Sequence, residues 1–173
     1  MSASVASWPR GGLAPTRSDS LYLLAVPTDA RARLARGWLW LGLLALIGSG
    51  LFSVLLVLSR TPGVNRLLPV SDLFHVALVV HVDLSVLVWF VALAGLLWSA
   101  SGSSRGLCWG WAALGLCATG AAAMALAPFV GHGEAVMANY IPMLTTPLFI
   151  GGLLLFAAGS AVLVLRSLLT AKR

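Results

Sequence analysis

The chain has 173 residues, of which 60% are hydrophobic and 9% are charged, and its formal net charge is +6. This composition, with a mean hydropathy of +0.97, excludes an ordinary soluble globular protein and leaves no room for a large aqueous domain. The positive charge does not indicate a nucleic-acid partner, because the basic residues stand at the ends of apolar runs, as in membrane proteins.

The amino-terminal residues 1–36 form a polar, basic segment that is rich in Ser, Pro and Arg. Its apolar stretch SLYLLAV is too short and too interrupted for a secretory signal. Asp19 and Asp29 argue against a mitochondrial transit peptide, which is normally poor in acidic residues. We therefore interpret residues 1–36 as a cytoplasmic tail.

Four apolar stretches predict an all-α fold, an integral membrane bundle of four transmembrane helices. Each stretch is long enough to cross a bilayer, which takes about 20 apolar residues at a rise of about 1.5 Å per residue. The predicted membrane domain covers residues 37–166, and a basic cytoplasmic end follows at 167–173. Its spans are expected at residues 37–58, 73–99, 107–129 and 141–165.

The basic residues predict the orientation of this bundle. Four spans place both termini and the turn at residues 100–106 on one side, which carries nine of the 11 Lys and Arg residues. The other side carries Arg60 and Arg66. Because Lys and Arg accumulate in cytoplasmic segments, we expect both termini in the cytoplasm. The expected location is the bacterial inner membrane.

Small and aromatic residues indicate how the first span is placed. Trp38 and Trp40 are expected at the membrane interface, where Trp is enriched. Gly42, Gly48 and Gly50 are expected to let a neighbouring helix approach closely.

The other spans carry local signals of their own. Ser71 is expected to cap the second helix, and the Ala- and Gly-rich third span is expected to pack closely against a neighbour. Pro147 should bend the fourth helix unless that helix begins later than residue 141.

The second span, DLFHVALVVHVDLSVLVWFVALAGLLW, contains ionisable groups in an otherwise apolar stretch. Each such group costs roughly 2.5 to 3.5 kcal/mol on insertion scales, so each is expected to have a partner. At about 100° per residue, Asp83 lies roughly 20° and His81 roughly 180° from Asp72. We expect Asp72 to bind His75 near the outer end, and Asp83 to be neutral and hydrogen-bonded to another helix.

Few kinds of chemistry are available to this composition. The sequence contains no phosphate-binding glycine loop, zinc motif or nucleophile elbow, and five acidic residues offer little for hydrolysis. An imidazole in an apolar setting suits haem, whose iron binds the neutral nitrogen, although the residues alone fit a helix-contact histidine as well. His132, Glu134 and Met137 could bind a metal, but a solvated loop explains them better.

A ten-residue stretch of the second span resembles a known family. His81 to Phe90, HVDLSVLVWF, resembles the second helix of haem-copper oxidase subunit I, and it is most similar to the nitric oxide reductase and C-type oxidase branches. The resemblance implies that His81 is an axial ligand of a low-spin, b-type haem that transfers electrons. It extends more loosely over residues 37–166, including the stretch NYIPMLTTPLFIGGLLLF.

The resemblance also implies secondary roles around the haem. Ser85 could form a hydrogen bond near the ring, Trp89 could flank it, and His75 could orient a propionate. The other metal ligands of the family lie on later helices, so the chain would be an amino-terminal third, a split subunit or a degenerate relative. Its partners would be the lipid bilayer and other oxidase subunits, or the missing carboxyl-terminal part, and oxygen or nitric oxide reduction would belong to the whole complex.

Two alternative functions do not depend on the resemblance to the oxidase family. A four-helix cytochrome b needs histidines on facing helices, whereas His75 and His81 share one helix. A non-enzymatic membrane protein, such as an assembly factor or accessory subunit, explains the hydropathy without a cofactor and leaves His81, Asp83 and Ser85 unexplained.

Overall fold

A computed structural model describes residues 27–63, 72–130, 133–137 and 141–171, and these form a helical bundle. Four helices are long and apolar enough to cross a membrane. They are α1 (Ala30–Ser59), α2 (Leu73–Ser101), α3 (Leu107–Val130) and α4 (Pro147–Thr170). Between α3 and α4, β1 (Ala135–Val136) pairs antiparallel with β2 (Met143–Leu144).

This architecture confirms the predicted four apolar helices, while the similarity to oxidase subunit I stays a prediction. The expected cap at Ser71, the loop histidine His132 and residues 1–26 of the amino-terminal tail lie outside the described residues.

The first helix begins at Ala30, ahead of the span predicted from residue 37. Asp29 caps it, since its carboxylate accepts a hydrogen bond from the Arg31 backbone N–H at 2.9 Å and pairs with the Arg31 guanidinium at 2.9 Å. The backbone N–H of Arg31 lowers the pKa of Asp29 below its usual value. A charged cap favours the helix amino terminus, so the helix extends into the segment interpreted as a tail.

The fourth helix begins at Pro147 and not at residue 141, which corrects the predicted start of this span. Thr146 caps the helix by accepting a hydrogen bond from the Phe149 backbone N–H at 3.3 Å. A proline in the first turn gives up no helical hydrogen bond, so Pro147 starts the helix and has no interior turn to bend. Residues 143–144 form strand β2 instead.

Helices α1 and α2 pack against each other through glycines that face large side chains. Gly42 lies against the Trp89 ring and Ala92, and Gly95 lies against the Trp38 ring. Trp38, expected at the membrane interface, is therefore buried between the helices with no exposed surface. Because Gly95 has no side chain, it leaves the space that the indole of Trp38 fills.

Two other glycines of α1 were predicted to let a neighbouring helix approach closely, and only one of them does. Gly48 lies against Leu84 of α2, but Gly50 faces open space. Trp40 is exposed on the outer surface of α1, and its position at the membrane interface stays a prediction.

Helices α3 and α4 approach even more closely, as the small residues of the third span predict. A side chain at Gly120 would meet the carbonyl oxygen of Gly152 and the backbone of Phe156. A side chain at Gly159 would meet Cys117 and Ala113. The two backbones are therefore held in direct contact, which is how small residues join membrane helices.

Candidate functional site

The candidate site is centred on His81, whose imidazole is partly exposed on α2. Its Nδ1 lies 2.9 Å from the carbonyl oxygen of Ser49 on α1. A carbonyl oxygen has no hydrogen, so Nδ1 must donate. The Ser49 hydroxyl, which lies 2.9 Å from the same nitrogen, then donates to the His81 carbonyl oxygen at 3.0 Å. In a neutral ring this arrangement places the hydrogen on Nδ1 and a lone pair on Nε2.

The hydrogen bond from Nδ1 to the Ser49 carbonyl oxygen orients the ring from the neighbouring helix, and the hydroxyl bond joins Ser49 to the α2 backbone. Ser49 is only 3% exposed, so both of its contacts with His81 form away from water, where an unpaired polar group is costly. Among the described residues Nε2 has no hydrogen-bond partner, and it is the nitrogen that a metal ion would bind.

The helix changes its winding directly after this histidine. Residues Asp83–Val88 form a π-helical segment inside α2, a feature that occurs frequently at functional sites. The Ser85 hydroxyl donates to the His81 carbonyl oxygen at 2.7 Å. Ser85 is thus bound to its own helix backbone, and its hydroxyl hydrogen is not available to a cofactor ring.

His75 lies in the first turn of α2, and the structure does not bring its side chain together with His81. Its side chain is 48% exposed, and its Nδ1 lies 2.7 Å from the Asp72 carboxylate. The predicted pair between Asp72 and His75 is therefore confirmed. Asp72 itself adopts a left-handed backbone conformation (φ 52°) and makes no cap hydrogen bond with its side chain. The described residues contain no cluster of three or more potential metal-ligating side chains.

Trp89 lies at the contact between α1 and α2. Its ring rests on Gly42, where an added Cβ would lie 3.0 Å from the ring. This position gives Trp89 a packing role and accounts for its residue type without a cofactor.

Asp83 is buried, with 1% of its surface exposed. Its Oδ2 atom has no hydrogen-bond partner among the described residues, so the prediction that Asp83 bonds a neighbouring helix is wrong for this oxygen. Both described carboxylates with an ion-pair partner, Asp29 and Asp72, lie elsewhere.

Sequence reasoning missed Ser49, the residue that positions His81. The signal was present, because Ser49 is a polar residue in an apolar span and is flanked by Gly48 and Gly50. Glycines on either side let another helix come close, but they do not say which residue of that helix arrives.

The opposite end of the bundle is fastened by two arginines, which we call the turn arginines, Arg31 and Arg166. The Arg31 Nη1 donates to the carbonyl oxygen of Gly102 at 2.6 Å. The Arg166 side chain donates to the carbonyl oxygens of Gly106 at 3.0 Å and Ser103 at 3.2 Å. The turn arginines therefore tie α1 and α4 to the turn between α2 and α3.

Comparison with known proteins shows similarity to longer bacterial proteins. The chain is 31% identical over 149 residues to an uncharacterized protein of Rickettsia prowazekii, covering 71% of the chain and 29% of that relative. It is 32% identical over 122 residues to an uncharacterized protein of Aquifex aeolicus, covering 70% of the chain and 31% of that relative. The chain thus spans less than a third of the length of each. No family model and no solved structure matches it.

Proposed function

We propose that the chain is a membrane subunit, or part of one, that supplies one axial ligand to a low-spin haem in a larger respiratory oxidase. The ligand is His81, through Nε2. One observation carries the proposal: the Nδ1 of His81 donates to the Ser49 carbonyl at 2.9 Å. Metal-binding histidines characteristically donate their other ring N–H to a carbonyl or carboxylate, which fixes the ring orientation and raises the basicity of the ligand nitrogen.

The residues present fit a haem in several respects. His81 lies in a largely apolar stretch, which suits a porphyrin, and the residue is partly exposed at the bundle surface. When bound, the haem supplies one-electron transfer. Of the chain's own residues, His81 would hold its iron, while the Ser49 carbonyl orients the imidazole and Ser85 donates to the His81 carbonyl oxygen.

The second axial ligand has to come from outside this helix. His75 and His81 lie on the same helix, and one macrocycle cannot take both histidines of α2 as axial ligands. The relatives extend far beyond the aligned region, which supports a larger protein as the source of that ligand. The chain by itself is expected to bind haem weakly or not at all.

The orientation belongs to the same proposal. The end that carries the turn arginines faces the cytoplasm of a bacterial cell, as the distribution of basic residues indicates, and the chain is a multi-pass protein of the inner membrane. His81 then lies in the outer half of the bilayer, where a haem's propionates reach the polar layer.

The same hydrogen bonds also support a second candidate function. They join α1 to α2, so His81 is explained as a helix contact in a non-enzymatic assembly factor or accessory subunit. Among the described residues, the pairing of Ser49 with His81 satisfies Nδ1 without any cofactor.

Optical spectroscopy of the assembled complex distinguishes the two functions. His81→Ala is expected to abolish the low-spin haem spectrum, whereas His75→Ala, which removes an exposed histidine of the same helix, leaves it largely intact. The reverse pattern would assign the ligand to His75. A complex that shows no haem band with full haem supply favours the non-enzymatic function.

A further inference from the structure

A groove opens between the carboxyl ends of α2 and α4, at the end of the bundle that carries the turn arginines. It has a volume of about 530 Å³. Its apolar surface comes from Trp98, Val164 and Leu168, and three further lining residues carry hydroxyl groups, namely Ser101, Ser167 and Thr170. Because spanning helices end near the bilayer surface, the groove lies at the level of the lipid headgroups.

The hydrogens of the three hydroxyl groups are already bound within their own helices. Each hydroxyl donates to the carbonyl oxygen four residues earlier, at 2.7 Å for Ser101, 2.9 Å for Ser167 and 2.8 Å for Thr170. A hydroxyl that donates in this way keeps the lone pairs of its oxygen as acceptors. These three side chains therefore offer the groove hydrogen-bond acceptors.

The two helix ends add further acceptors and a partial negative charge. The last four carbonyl groups of a helix lack partners within it, and the helix dipole places about half a negative charge there. Neither α2 nor α4 has a basic residue in its last turn, and the described lining of the groove contains no charged side chain. Arg31, which donates to the Gly102 carbonyl oxygen, is paired with Asp29. The groove therefore suits a positively charged group with N–H donors.

We propose that this groove binds phosphatidylethanolamine of the surrounding bilayer. Its ammonium group lies at the hydroxyl and carbonyl oxygens of the two helix ends, and an acyl chain lies along Trp98 and Leu168. A primary ammonium group has three N–H donors and a positive charge, and both match a wall of acceptors. The site is independent of the haem proposal, because it involves none of the residues around His81.

Native mass spectrometry of the full chain tests the site, with phosphatidylethanolamine and phosphatidylcholine of the same acyl chains as probes. Both lipids are zwitterionic, but the quaternary ammonium of phosphatidylcholine has no N–H donor. The chain is expected to retain phosphatidylethanolamine with about tenfold higher affinity, the effect of one hydrogen bond from a charged donor. Thr170→Val removes one acceptor and should lower this preference. Thr119→Val makes the same change at an exposed position of α3 outside the groove and should retain it.

A second variant fills the groove, and it decides the matter if Thr170→Val fails to fold. Ser167→Trp should remove the preference for phosphatidylethanolamine, whereas Leu169→Trp, at an exposed position outside the groove, should leave it unchanged. The proposal is overturned if the wild type retains both lipids equally, or if Ser167→Trp keeps the preference. It is also overturned if Thr119→Val weakens binding as much as Thr170→Val. Tighter retention of phosphatidylglycerol than of phosphatidylethanolamine would overturn it as well, since the basic residues of this end would then hold the lipid.

Discussion

At the scale of single residues, Ser49 forms hydrogen bonds with His81 through both its backbone and its side chain. The acceptor for the His81 ring is the Ser49 backbone carbonyl, whereas the hydroxyl donates to the His81 carbonyl. A side-chain substitution therefore removes the second bond and leaves the first. The orientation of His81 depends on the α1 backbone more than on the identity of residue 49.

Ser49→Ala is accordingly expected to lower stability modestly and to preserve the His81 tautomer. Interhelical hydrogen bonds in membranes contribute on average about 0.6 kcal/mol, and a loss of about that size should appear in reversible unfolding in detergent. Ser53→Ala on the same helix serves as the control and should be close to neutral. Equal effects at both positions would show that the hydroxyl of Ser49 does not contribute.

The next prediction concerns the protonation state of the Asp83 carboxyl group. Because its carboxyl group is buried and Oδ2 has no described partner, an ionised form would be costly in these surroundings. We expect infrared spectra at neutral pH to show a protonated carboxyl band that disappears in Asp83→Asn, with little loss of stability in that variant. An ionised carboxylate band assigned to Asp83 would contradict this and would require a cation from another chain.

At the scale of elements, the bundle consists of two helix pairs joined in different ways. The α1–α2 pair places glycines against aromatic rings, as at Gly95 and Trp38, whereas the α3–α4 pair brings two backbones together at Gly120 and Gly152. The first kind of contact can adjust, because a side chain can move. The second kind cannot, since both partners are backbone.

Gly120→Ala should therefore destabilise the α3–α4 pair, whereas Gly115→Ala should not. A Cβ at Gly120 would lie 2.5 Å from the Gly152 carbonyl oxygen, but one at Gly115 meets nothing within 4 Å. Overpacking of this kind costs about 1 to 3 kcal/mol, while alanine in an open helical position is neutral or slightly stabilising. Thermal unfolding of both variants measures the difference, and equal midpoints would contradict the close approach.

At the scale of the whole molecule, the helices form a bundle whose two ends differ in chemistry. The end with the turn arginines is basic and fastened through carbonyl groups, and the end with the Asp72–His75 pair carries the hairpin of β1 and β2. Such a charge difference orients a membrane protein, because positive segments stay in the cytoplasm.

Reporter fusions test that orientation directly. A fusion at Gly63, after α1, is expected outside the cell, and a fusion at Ser103, between α2 and α3, is expected in the cytoplasm. Alkaline phosphatase should therefore be active at Gly63 and inactive at Ser103. Activity on the same side for both fusions would contradict the four-span topology.

The sequence by itself determined the four apolar helices and their approximate places. Transfer of a segment into a bilayer depends on the summed hydrophobicity of its own side chains, a local property that is visible in a single sequence. The Asp72–His75 pair was predictable for the same reason, since three residues along a helix bring two side chains together. The starts of α1 and α4 were predicted wrongly. Asp29 caps α1 inside the segment interpreted as a tail, and Thr146 caps α4 inside the predicted fourth span.

The tertiary structure alone decided which side chains meet. Ser49 and His81 stand far apart in the chain, and hydropathy does not show that Ser49 faces α2 while Gly50 faces open space. Trp38 belongs to a residue type that is enriched at membrane interfaces. It is nevertheless buried, because Gly95 on another helix leaves room for its ring. Arg166 reads as a basic flanking residue and is instead bound to the turn between α2 and α3. Each of these outcomes depends on the rotation of one helix against another, which packing between whole helices fixes and no local stretch of residues encodes.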